Sequence, residues 1–195
     1  MKTPVRVAAK FFASPDPKAP VELDPYIGVF HRFIQGKTVP GLLLDVADYI
    51  HVPDGPGVVL IGHDVDYGLD SVGGETGLLT THKRHGDADL ESVARDTLRN
   101  ALAAVQAVEA DPDVDIRFDT GRVTLHLIDR LKAPNTDEAY AQAVAALAPV
   151  AEKLFAGGYS ASRAHADDPR KSLAVTWVAN EPADAATLLQ RLGGA

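Results

Sequence analysis

The 195-residue chain contains no cysteine. That absence excludes disulfides, iron–sulfur clusters, thiolate zinc sites and a cysteine nucleophile, and it makes a reducing compartment the default expectation. Long apolar runs are also missing, and none approaches the roughly 20 residues that span a bilayer. The N-terminal stretch MKTPVRVAAKFFASPDPKAP has two apolar patches broken by Lys10, and lacks the continuous apolar core of a signal peptide. Positive charge is scarce: 19 Lys and Arg stand against 27 Asp and Glu, a formal charge of −8. Nucleic-acid binding draws on clustered Lys and Arg, so this balance argues against it. Neither a Walker A loop nor a dinucleotide fingerprint occurs, and no serine sits in a nucleophile elbow. The expectation is a soluble cytoplasmic protein without nucleic-acid or membrane partners.

With 46% hydrophobic and 24% charged residues, the chain has ample material for a core without disulfides or metals. VRVAAKFFA (5–13) reads as a strand running into a Pro-rich loop. Asp24-Pro25 supplies an N-cap and a first-turn proline for a helix bearing Tyr26, Ile27, Phe30, Phe33 and Ile34, closed by Gly36. Residues 42–52, 58–67 and 77–85 read as three strands joined by turns at 53–57 and 71–76. Residues 89–110 give the clearest helix, with Leu90, Val93, Ala94, Leu98, Ala101, Leu102, Val105 and Val108 on one stripe. VDIRFDTGRVTLHLID (114–129) reads as a hairpin around Asp119-Thr120-Gly121. Asn135-x-x-Glu138 opens an Ala-rich helix to about 156, kinked at Pro149 and ended by Gly157-Gly158. A last hairpin crosses 167–170, and Asn180-Glu181-Pro182 introduces a short helix ending at Gly193.

This order predicts an α+β fold, antiparallel sheets with helices packed on them, compatible with two ferredoxin-like βαββα units. The units would be 1–112 and 113–195, or one continuous domain.

Residues 45–82 hold the richest chemistry. If the three central strands form a meander with Asp48 opposite Gly62 and Gly62 opposite His82, one face carries Asp48, Asp64, Asp66 and His82 among apolar residues. Carboxylates in an apolar patch need a partner, and a divalent metal bound by these four residues is one reading. Solvated strand ends are the plainer one. The other face carries Asp45, Tyr49, His51 and His63, candidates for a metal-free acid–base pocket. His82-Lys83-Arg84-His85 precedes a helix and offers an anion site, although Asp87 and Asp89 already suit that end as caps. His31, His126 and His165 receive no role, and Trp177 alternates with Leu173 and Val175 as core.

His51-Val52-Pro53-Asp54-Gly55-Pro56-Gly57, followed by Leu60-Ile61-Gly62-His63-Asp64, resembles a family of uncharacterised bacterial proteins of similar length. The segment Asp129-Arg130-Leu131-Lys132-Ala133-Pro134-Asn135-Thr136 is similar to it too. The resemblance covers most of the chain and implies no activity or cofactor. Three readings of function follow. The first is a ligand-binding or homo-oligomeric assembly protein, with a homodimer and a small-molecule ligand as its partners. The second is a small-molecule enzyme using the His/Asp cluster, with or without a divalent metal. The third, by analogy of fold, is a haem-binding protein.

Overall fold

Alternation and helical stripes settle most elements where the sequence places them. The computed structural model describes residues 1–14 and 21–193, so most of the expected Pro-rich loop, 15–20, lies outside the described residues. Strands β1 (Arg6–Ala13), β2 (Leu43–Tyr49), β3 (Gly57–Gly62), β4 (Val65–Asp70), β5 (Gly77–His82), β6 (Phe118–Ile128), β7 (Tyr159–Ala164) and β8 (Leu173–Ala179) form one sheet. Its order is β2-β3-β4-β5-β1-β6-β8-β7, and every pairing is antiparallel. Helices α1 (Pro25–Gly36), α2 (Leu90–Glu109), α3 (Asp137–Leu154) and α4 (Ala185–Arg191) complete an α+β fold. β1 lies between β5 and β6, so strands from both sides of residue 112 share this sheet.

Two strand assignments change. The stretch 58–67 is not one strand, because β3 and β4 fold back at His63-Asp64, with Leu60 opposite Tyr67. The stretch 114–129 is not a hairpin, because β6 runs unbroken through Asp119-Thr120-Gly121. Those residues form a bulge opposite Phe11 and Phe12, where the register shifts. Asp119 accepts the Gly121 N–H at 2.9 Å, and the Thr120 hydroxyl donates to Ala183 O at 2.6 Å. Turn-forming side chains thus kink a strand whose flanks both still pair.

Helix ends differ in detail. Asp24 is itself helical and its side chain caps nothing. Thr136, not Asn135, caps α3 by accepting the Ala139 N–H. That helix continues through Pro149. Asp89 caps α2 as expected, and Asp184 caps α4.

Val7, Ala9 and Phe11 of β1 share a face with Leu60, Tyr67, Leu78, Leu125, Val175 and Trp177, and these pack with α1–α4 in one core. Alternation puts Ala8, Lys10, Phe12, Asp66, Gly68, Asp70, Thr124, His126, Ala174 and Thr176 on the opposite, helix-free face.

Candidate functional site

The corrected hairpin decides where the predicted residues lie. Gly62 ends β3 because a Cβ there would come 2.2 Å from Val65 O. Leu43 of β2 is its ladder partner on one side, and on the other its backbone is completed by side chains. Gly62 N donates to the Asp66 carboxylate at 3.0 Å, and Lys83 Nζ donates to Gly62 O at 2.9 Å. Lys83 and Asp66 also pair at 2.7 Å. Asp66 is therefore a structural clamp. Beyond it, Arg84 donates to His63 Nε2 at 2.7 Å. Guanidinium has no acceptor, so the neutral His63 carries its proton on Nδ1 and donates it to Asp64, 2.8 Å away.

His82 ends β5 opposite Val65 and Val7, which places its ring on the helix-facing side with Thr80. His85 follows in the loop to α2, its ring edge-on to His82 with centroids 6.0 Å apart. Both Nδ1 atoms are buried without a hydrogen-bond partner. Burial pushes the His82 pKa down, and His85 adds to that shift, while Asp96, the Arg84 backbone and Asp64 oppose it.

Asp48, Asp64, Asp66 and His82 do not converge. Asp48 pairs with Val58, not Gly62, and Gly62 pairs with Leu43. The row of Asp48 and Val58 continues through Leu69 to Leu78, four residues along β5 from His82, or about 13 Å at strand rise. Asp66 points to the other face. Of these three aspartates, only Asp64 acts on the charge of His82. Among the described residues no three His, Asp or Glu side chains stand together as a ready metal-ligand set. The candidate acid–base residues are also dispersed. Asp45 holds the Val46 N–H at 2.8 Å on the edge strand β2, as Asp48 holds that of Ile50. Tyr49 and His51 are exposed at the far end of β2, away from His63.

The helix-free face holds a second group, unassigned from the sequence. Lys10 and Asp70 form a buried ion pair at 2.6 Å, their side chains 7% and 4% exposed. The same ammonium donates to Glu75 O at 2.8 Å, and the same carboxylate accepts the Val72 N–H at 3.0 Å. Arg122 pairs with Glu75 at 2.7 Å and lies 3.7 Å over the Phe12 ring. This polar roof covers one end of the face. Below it lie small residues: Ala8 and Ala174, both fully buried, and Thr124 and Thr176, whose hydroxyls are 2.9 Å apart. His126 sits between Ala8 and Ala174 on this floor.

Burial pushes the His126 pKa down to about 4, helped by the positive charge of Lys10 and by His165. The residue keeps some contact with solvent, so its ring is densely surrounded but not sealed. It has no hydrogen bond to a described residue. Small side chains thus flank a neutral imidazole on this face, while the helices among the described residues pack with the other face. The available signals were Lys10 interrupting an apolar strand and the alternation Thr124, His126 in β6; neither reveals that Asp70 lies opposite. No family model, no curated protein and no solved structure matches this chain.

Proposed function

We propose that this chain binds a small polar molecule at the partly exposed His126 ring, beside Thr124 and Thr176. The observation that carries this reading is His126, a neutral imidazole without a hydrogen-bond partner among the described residues, on the sheet face opposite the packed helices. Densely surrounded polar groups ordinarily find partners, and a ring with one N–H and one lone pair fits a ligand offering an acceptor and a donor side by side. The Thr124 and Thr176 hydroxyls, on the same face, add further hydrogen-bonding capacity. Amide and carboxylic-acid fragments test this directly. NMR titration with acetamide and with acetate is expected to shift the His126 ring and leave exposed His63 unmoved, with the response lost in Thr124→Val. If neither probe moves His126, or if Thr124→Val leaves the response intact, the reading fails.

Self-association is a second reading, favoured by the edge strand. Leu42, Leu44, Tyr49 and Val52 are all exposed in and beside β2. An edge with exposed apolar side chains invites a second copy, although Asp45 and Asp48 place charge on it. Light scattering that finds a dimer in the wild type and a monomer in Leu44→Glu supports this reading. A monomeric wild type ends it.

A further inference from the structure

We propose that His82 and His85 form a two-nitrogen site for a divalent late transition-metal ion, with zinc and nickel as the natural probes. The site is separate from His126, because His82 lies on the helix-facing side of the sheet.

Three observations converge on these two rings. Both Nδ1 atoms are buried and lack partners, an arrangement uncommon in folded proteins. The Pro4 carbonyl, 2.9 Å from His85 Nε2, only accepts a hydrogen bond, so the His85 proton sits on Nε2. The lone pair of neutral His85 is therefore on buried Nδ1. A ring N–H tied to a backbone carbonyl, with the opposite nitrogen free, is the outer-shell arrangement that orients metal-binding histidines.

The third observation is spacing. Two imidazoles each about 2 Å from one ion have ring centroids roughly 5–6 Å apart, from ordinary bond lengths and angles. The observed separation is 6.0 Å, with the rings at 86°. Asp64 and Asp96 act electrostatically on His82 and supply nearby negative charge. Lys83 and Arg84 would oppose a cation, but Lys83 is paired with Asp66, and Arg84 donates to His63. Imidazole nitrogen favours zinc, nickel and copper over magnesium or calcium.

Isothermal titration of the full chain, without a histidine tag, with zinc chloride and then nickel chloride tests the site. One equivalent is expected to bind, with affinity lowered by about tenfold or more in His82→Gln and in His85→Gln, and unchanged in His63→Gln. Magnesium is expected not to compete. A second measurement on the wild type protects the test against a variant that does not fold. Substoichiometric nickel is expected to broaden the ring resonances of His82 and His85 before those of the other histidines. Absence of saturable binding, equal binding in the two variants, or earlier broadening at another histidine overturns the proposal. A structure at saturating zinc with only water between the rings overturns it as well.

Discussion

Replacing His126 with glutamine flattens the acid side of the stability curve. The fold holds this imidazole at a pKa of about 4, against roughly 6.5 in an unfolded chain. Above the unfolded value neither state carries the proton, and the stability associated with neutral His126 is fully present. As pH falls through this window, the unfolded chain takes up a proton that the folded protein resists, so stability is lost. At about 1.4 kcal/mol per pKa unit, the complete loss is roughly 3 kcal/mol, of which about 2 kcal/mol is gone by about pH 5. His82 is shifted in the same direction and adds to the wild-type slope. The difference between wild type and His126→Gln therefore isolates His126. Carboxylates held low, such as Asp129, lose their contribution only below about pH 4 and stay outside the window. Urea unfolding at about pH 7.5 and about pH 5 measures the effect, with NMR titration of the ring as an independent check. Equal losses for wild type and His126→Gln, or a measured His126 pKa near 6.5, would refute the reasoning.

The buried pair on the same face gives a sharper mutational contrast. Lys10→Met leaves the Asp70 carboxylate buried beside the Val72 N–H alone, at an expected cost of about 3–5 kcal/mol. Adding Asp70→Leu should recover most of that loss in urea unfolding; an additive double variant would contradict the pairing. Gly62→Ala drives a Cβ into Val65 O and should destabilise the chain by ~2 kcal/mol, with a lower melting temperature as the readout. Gly68→Ala, with its nearest neighbours at 3.7 Å, is its tolerated control. Thr136→Ala removes the cap of α3 at an expected cost of ~1 kcal/mol, measured by thermal unfolding, whereas Asp24→Ala leaves stability unchanged because Asp24 caps nothing.

The sequence by itself determined the fold class and most of the elements, because periodicity is a local property. The stripe from Leu90 to Val108 makes α2 wherever it packs, and the alternation of Leu173, Val175 and Trp177 gives β8 one buried face. The turn at His63-Asp64 was not legible, because neither residue has the positive φ that marks the commonest tight hairpin turns. Its end is held by Asp66 and by Lys83, just beyond β5. Reading 58–67 as one strand puts Asp66 on the face of Asp48 and His82, and extending β2 past Tyr49 puts Asp48 opposite Gly62 instead of Val58; the four residues lie apart. The DTG stretch of β6 misled in the opposite sense, since pairing on both flanks turned a hairpin signal into a bulge. Only the tertiary structure decided that Lys10 meets Asp70, that His126 lies among alanines and threonines, and that His82 faces His85. Each contact depends on which strand lies beside which and on the face each residue takes, and a shift of one residue reverses that face.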